Sequence, residues 1–337
     1  MLRLGTIGTS WIVKQFIEAS HLAGAFDLEA VYSRRVSRAE EFLAELMPAN
    51  SSALALDSLT ELFEASDLVY IASPNSLHFE QVQAALKAGC HVIVEKPAFS
   101  NPREFAQIQE LLGQHPDLRL MEANRHLYQP NFIALQKAVA QLPQIDGANF
   151  VMAQYSSKYD AYLAGKNPNV FNKDFSTGAL YDLGVYPLSA ALALFGQPQA
   201  LQYLPVLLDN QTDGSGQATL IYPGYQVSLQ FSKTYNACRP SEIYAGRQTV
   251  SIDHIADLNH IDIIDDGQVQ TAIAEVQAEN PMVAEVQTFA QWLAEPLAYY
   301  QQYQQALQLS QLINQTLFDL RQSAQIEFPA DERVYDN

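Results

Sequence analysis

Over residues 2–121, short apolar runs alternate with amphipathic segments, and this rhythm restricts the possible fold more than any other feature of the chain. Leu2–Ile7, Leu28–Tyr32, Leu54–Leu56, Leu68–Ala72, Val92–Val94 and Leu118–Met121 read as strands. Trp11–Leu22, Arg38–Leu46, Ser58–Phe63, Phe79–Ala88 and Pro102–Leu112 read as the helices between them. Strands buried on both faces read as unbroken apolar runs, and strand–helix alternation produces a parallel sheet with right-handed crossovers. The pattern changes near residue 125. After a helix over Pro130–Val139 come Ala148–Tyr155, Ala200–Leu208, Gln217–Tyr222, Tyr225–Ser232, Ser241–Tyr244 and Gln248–Ile252, mostly strands rich in β-branched and aromatic residues. Asp213-Gly214, Pro223-Gly224 and Asp265-Asp266-Gly267 read as turns between strands, which predicts an antiparallel sheet. Two helices, Pro281–Ala294 and Pro296–Gln322, close the chain. No repeat or low-complexity linker interrupts it, so the expected division is a fold switch, with domains 1–123 and 124–337.

Composition removes several classes of function. The 337 residues carry a formal net charge of −18, a surface that repels phosphate backbones and argues against a nucleic-acid partner. Two cysteines, Cys90 and Cys238, make no disulfide framework, and the seven histidines show no metal-ligand spacing. The start, MLRLGTIG, is a glycine-punctuated strand where a signal peptide would have an apolar core. The longest apolar stretch, 179–195, is interrupted by Asp182, Gly184 and Pro187. A cytoplasmic location without membrane contact is expected.

The chemistry concentrates at strand ends, where open α/β sheets bind ligands. The first strand runs through Gly8-Thr9-Ser10 into a helix, a placement in which helix amides meet a pyrophosphate. The glycine fingerprint is incomplete, because Ser10 and Val13 stand where its second and third glycines would. Gly8, Thr9, Ser10, Trp11 and Ile12 are the candidate contacts, with Ser10 able to cap the helix or offer its hydroxyl to phosphate. The second strand ends in Ser33-Arg34, with Arg35 and Arg38 nearby, where a ribose-binding acid would be expected. Guanidinium suits a 2′-phosphate, so NADP is favoured over NAD. Ser73, Pro74, Asn75 and His78 follow the fourth strand and are candidate cofactor or substrate contacts. The fifth strand ends in Glu95-Lys96-Pro97, a charged pair locked against a proline that has the geometry to be cis. In the second half, STGALYDLGVYPLSAAL places Asp182 and Tyr186 four apart, on one face of a helix. A phenol works as acid or base near neutrality when a cation favours its charged form, and Lys96 is the expected cation.

The combination of GTIGTS, EKP and GALYDLGVY resembles the glucose–fructose oxidoreductase / inositol dehydrogenase / MocA family along essentially the whole chain. The resemblance implies an N-terminal Rossmann domain that binds NAD(P), and a C-terminal α/β domain with a large, mostly antiparallel sheet for substrate binding and oligomerisation. It also implies hydride transfer on sugars, cyclitols or related alcohols, with its EKP lysine at Lys96. Many members carry histidine where this chain has Tyr186, which resembles the branch of dihydrodiol dehydrogenase, xylose dehydrogenase and glucose–fructose oxidoreductase. Thr177-Gly178 stands where members often show Gly-Gly.

The expected reading is therefore catalysis by Lys96 and Tyr186. Lys96 bonds the reacting oxygen, and Tyr186 takes the alcohol proton as hydride leaves for the nicotinamide. Asp182 orients the site or binds a substrate hydroxyl. Glu95 and Asn124 complete the cofactor set. Arg125, His126 and Tyr128 line the cleft, and Lys158, Asn169 and Lys173 read as ordinary loop residues, with substrate contact as the alternative. A homodimer or homotetramer through the C-terminal sheet is expected. Two alternatives stay open: a dinucleotide sensor without turnover, against which the joint presence of Lys96, Asp182 and Tyr186 argues, and a redox-assisted glycosidase that keeps its NAD bound.

Overall fold

The computed structural model describes residues 1–46 and 52–333. The chain divides into two compact units, Met1–Ala123 with Ala278–Ser310, and Asn124–Gln277 with Gln311–Asn337.

The first unit is built on β1 (Leu2–Ile7), β2 (Phe26–Tyr32), β3 (Leu54–Leu56), β4 (Leu68–Ile71), β5 (His91–Glu95) and β6 (Leu120–Ala123), all parallel, in the order β3-β2-β1-β4-β5-β6. Helices α1 (Trp11–Ala23), α2 (Val36–Leu46), α3 (Leu59–Ala65), α4 (His78–Lys87) and α5 (Pro102–Gln114) make the crossovers. The order reverses direction between β1 and β4, the switch point at which doubly wound sheets bind ligands. β4 is buried throughout, as its apolar run requires, and the helix starts are set by side chains. Ser58 accepts from the Glu61 amide at the start of α3. Asn101 accepts from Arg103 and Glu104 at the start of α5, with Pro102 in the first turn. Cys90 is buried core, its thiol directed at the carbonyls of Phe63 and Ser66, and burial pushes that thiol up to about 11.

The second unit opens with α6 (Pro130–Val139), followed by β7 (Gly147–Ala153), α7 (Tyr159–Leu163) and α8 (Val185–Phe195). Its sheet adds β8 (Ala200–Leu207), β9 (Asp213–Tyr222), β10 (Tyr225–Ser232), β11 (Ser241–Ala245), β12 (Gln248–Ile252), β13 (Ile261–Asp265) and β14 (Gln268–Ala272). The eight strands run β14-β13-β12-β11-β7-β10-β9-β8, antiparallel except for the β7–β10 pair. Burial alternates along β10: Val227, Leu229 and Phe231 are buried, while Gln226 and Ser228 face out. The segment Lys173–Phe195 is long and apolar enough to cross a membrane, yet two thirds of its most apolar window is buried within the fold.

Three expectations need correction. Residues 278–310 belong with the first unit, where α9 (Val283–Ala294) packs on α1 and Asn280 donates to the Gln15 carbonyl. There α10 (Tyr300–Ser323) also begins, its Ser310 hydroxyl bonded to Glu122. Asp213-Gly214 is not a turn. Both residues lie in β9, because the Asp213 carboxylate turns inward, accepting from the Tyr203 hydroxyl (2.7 Å) and the Leu180 amide (2.7 Å). Residues 180–184 are a π-helical turn that passes into α8, so Asp182 and Tyr186 do not share one continuous α-helical face.

Candidate active site

In the first unit, the turn after β1 is fixed by backbone geometry. Gly8 has φ +118° and donates to the Tyr32 carbonyl, and a Cβ there would lie 3.0 Å from the Ala72 oxygen. The chain then enters α1 with Val13 fully buried and Trp11 70% exposed. Ser10 takes the N-cap conformation, but its hydroxyl makes no cap bond, contrary to one half of the expectation. The amides of a three-turn helix thus open beside a glycine cradle and an unengaged hydroxyl, a donor set that fits a dinucleotide pyrophosphate. At the end of β2 the Ser33 amide is bonded to Leu56, and Arg34 is exposed and joins no ion pair among the described residues. Arg38 lies 3.8 Å from Glu41 at the surface.

The Glu95–Ser100 turn is held from every side. Tyr70, stacked on Phe16 with ring centroids 3.8 Å apart, donates to Glu95 (2.5 Å). The Ala98 amide donates to Glu122 (2.8 Å) and the Ser100 amide to Glu104 (2.8 Å), with Phe99 wedged edge-on against Phe79 and Phe105. The Lys96–Pro97 peptide is cis. His78 is a further restraint, its ring wholly buried. Its Nε2 lies 2.9 Å from the Ser73 carbonyl and its Nδ1 3.2 Å from those of Pro97 and Ala98. Burial pushes its pKa down, and the Lys96 charge adds to that. His78 therefore ties the turn after β4 to the turn that carries Lys96. The Ser73 hydroxyl is bonded to Gln81, while Pro74 and Asn75 open a short 3₁₀ turn and are half-buried.

In the second unit, the glycines of GALYDLG are forced by neighbours. At Gly178 (φ +141°) a Cβ would fall 1.8 Å from the Asp213 carboxylate, and at Gly184 it would press on the Phe231 ring at 3.1 Å. This packing lays out the two functional side chains. Asp182 pairs with Lys233 at 2.7 Å. Lys233 is only 1% exposed, also donates to the Val170 carbonyl, and lies 4.6 Å over the Phe171 ring. Asp182 keeps about a third of its side chain open. Tyr186 is half-buried, and Arg125 lies within electrostatic reach of it. Arg125 also donates to Asp257 at 3.1 Å, and Asp257 lies 3.0 Å from His254. Burial works against the Arg125 charge, yet Tyr186 and Asp257 outweigh it and raise the guanidinium. The His254 bond, with Arg125 assisting, holds the Asp257 carboxyl below the usual range. The ring of buried His126 packs 5.2 Å from that of Tyr186, its Nε2 2.9 Å from the Ser189 hydroxyl. Asn124 is buried beside the following 3₁₀ turn, Arg125–Tyr128. Lys158, Asn169 and Lys173 lie in the short-turn segment before the π-helical turn.

Sequence reasoning named Arg125 as a cleft residue but missed its bond to Asp257, read Asp213 only as part of a turn, and gave no role to Lys233, Tyr70 or Glu122. Two of these leave a trace: an acid inside the apolar run LMEA, and a lysine directly after the alternating strand β10. Among the described residues no group of three His, Cys, Asp or Glu side chains could hold a metal ion.

Residues 2–122 match the model of the oxidoreductase family with an NAD-binding Rossmann fold, GFO_IDH_MocA. An uncharacterized oxidoreductase of Escherichia coli, YgjR, is 34% identical over 98% of this chain and 99% of its own length. The chain belongs to the Gfo/Idh/MocA oxidoreductase family. Another member, the Bacillus subtilis scyllo-inositol 2-dehydrogenase (NADP+) IolU, is 32% identical over 98% of this chain and all of its own. The 3-ketoreductase KijD10 of Actinomadura kijaniata, solved with NADP and TDP-benzene, shares the fold, with a TM-score of 0.80 over 96% of this chain and 97% of its own at 20% identity. As a Gfo/Idh/MocA member the protein is an enzyme that uses a nicotinamide dinucleotide, in agreement with the turn after β1.

Proposed function

We propose that the protein transfers hydride between NADP and a ring hydroxyl of a cyclitol or pyranose. The observation that carries this reading is the full-length similarity to IolU, an NADP-dependent scyllo-inositol dehydrogenase. The bound nicotinamide supplies the hydride acceptor. Lys96, its backbone fixed at both flanks, hydrogen-bonds the reacting oxygen. Tyr186 takes the hydroxyl proton as the C–H bond breaks and returns it in reduction. Asp182, held as a carboxylate by Lys233, accepts from a neighbouring hydroxyl, which suits a polyol over a simple alcohol. Arg34, with no acid competing at the end of β2, meets a 2′-phosphate. Gly8, Thr9, Ser10, Trp11 and Ile12 surround the pyrophosphate. Ser33 and Arg38 flank the adenosine ribose, and Pro74, Asn75, Glu95 and Asn124 complete the cofactor contacts.

The test is a screen of cyclitols, pyranoses and trans-dihydrodiols as reductants of NADP and NAD, read by nicotinamide absorbance. At least one polyol turns over, and Lys96→Met and Tyr186→Phe each lower turnover about 10²–10⁴-fold while NADP still binds. Normal turnover in either variant refutes the assignment. The second sheet supports a further reading: Leu204, Val206 and Ile221 are exposed on β8 and β9, and two such faces stacked give a two-fold dimer. Sedimentation at micromolar concentration shows a dimer or tetramer if this holds, and a monomer if it does not.

A further inference from the structure

A cavity of about 590 Å³ opens in the second unit, between residues 162–174 and the turn that joins β8 to β9. Small-molecule sites occupy about 300–1,000 Å³, and this cavity falls inside that range. Tyr162 and Leu163 give it an apolar wall, and Lys166, Lys173, Asp174 and Asp209 carry its charge. Two cations and two carboxylates around one cavity would ordinarily pair. Among the described residues none of the four joins an ion pair, and none of their side chains hydrogen-bonds a neighbour.

The walls, by contrast, are held. The Phe171 carbonyl accepts from Asn210 Nδ2 (2.5 Å) and from the Thr212 hydroxyl (3.1 Å), which fastens one wall to the other. Asn172 accepts from the Asp174 amide (3.0 Å) and fixes the short 3₁₀ turn that carries Lys173 and Asp174. The Tyr162 ring lies 5.4 Å from that of Phe171 and stacks on Tyr159. Unengaged charged tips on an anchored frame make a preformed site, which binds without having to order its loops first.

We propose that this cavity is a second ligand site, one that takes a neutral polyhydroxylated ring such as a pyranose or cyclitol unit. The carboxylates accept from hydroxyls, the ammonium groups donate to hydroxyl and ring oxygens, and the Asn167 amide does both. Tyr162 and Leu163 meet the C–H face of the ring. The two signs balance, so the site selects neither an anion nor a cation: a phosphate would meet Asp174 and Asp209, and an amine would meet the lysines. The site uses none of Lys96, Asp182 and Tyr186 and does not depend on the roles given to them. It does share a wall with Asp182, because the Val170 carbonyl, beside Phe171, accepts from Lys233, the partner of that carboxylate.

Its test is calorimetric titration of the whole protein, without dinucleotide, with methyl β-D-glucopyranoside, maltose and scyllo-inositol. At least one binds saturably, with a dissociation constant of about 10 mM or below. Asp174→Asn combined with Asp209→Asn, surface changes with little effect on folding, weakens that binding about tenfold or more. Tyr186→Phe leaves it within about twofold. Failure of all three ligands to bind saturably overturns the inference. So does binding that the double Asn variant leaves intact; if Tyr186→Phe abolishes it, the ring sits at the hydride-transfer site instead. Inorganic phosphate that displaces the sugar with similar affinity also overturns it, because the lysines then form an anion site. Turnover of polyols in the double Asn variant stays within about twofold of wild type, so failure of this site and failure of the hydride-transfer reading are seen separately.

Discussion

The Lys96 turn and the Tyr186 segment are prepared by opposite means. At the Lys96 turn, neighbours grip the backbone and its flanks: His78 meets two carbonyls, Glu122 and Glu104 accept amides, and Tyr70 holds Glu95. At the Tyr186 segment, a neighbour grips a functional side chain itself, Lys233 the carboxylate of Asp182. The first arrangement fixes the backbone from which the Lys96 side chain starts. The second holds a working carboxylate directly. Substitutions around Lys96 should therefore act mainly through the stability of the turn, and substitutions around Tyr186 through polar pairing.

The largest effects on stability fall on the second region. Asp182→Asn strands an ammonium that is 1% exposed, and unfolding in denaturant should show a loss of roughly 3–5 kcal/mol. Lys233→Met costs less, about 1–3 kcal/mol, because the carboxylate it leaves is one-third open to water. The reverse order contradicts the assignment of Lys233 as the buried partner. Gly178→Ala drives a methyl into the Asp213 carboxylate at a positive φ, and a loss of about 3 kcal/mol or more is expected in the same measurement. An unchanged midpoint means that Asp213 does not need its place.

In the first region, His78→Gln should cost about 1–3 kcal/mol through the contacts to Ser73, Pro97 and Ala98. The sign of its pH dependence follows from burial. The folded ring resists protonation, so below about pH 6.5 the unfolded chain binds the extra proton and the wild type loses stability as pH falls. The gap between wild type and His78→Gln should shrink on acidification, and a gap that widens would mean that the buried ring is charged. The smallest effect is at the rim of the same unit: Arg34→Ala should raise the KM for NADP about tenfold and leave that for NAD unchanged. Equal effects on both cofactors would remove Arg34 from the 2′-phosphate.

The same contrast explains what could be read in advance. The parallel sheet, its strand ends and the Glu95-Lys96-Pro97 turn were legible because each is written in one contiguous stretch. The antiparallel sheet was legible from its alternation. What escaped is non-local. Asp213-Gly214 has the composition of a turn, and only the Tyr203 hydroxyl and the Leu180 amide make it a strand. The division of α10 between the units depends on bonds such as Ser310 to Glu122 that no periodicity announces. The partner of Asp182 is equally non-local: Lys233, 51 residues further along the chain, meets its carboxylate.

The joint action of Lys96 and Tyr186 at hydride transfer is best tested by single-turnover oxidation of a carbon-deuterated polyol in stopped flow, with NADP saturating. Wild type should show a primary isotope effect on the transfer step. Lys96→Met and Tyr186→Phe should each slow that step about 10²–10⁴-fold with NADP affinity intact. Transfer within a few-fold of wild type in either variant would contradict the account.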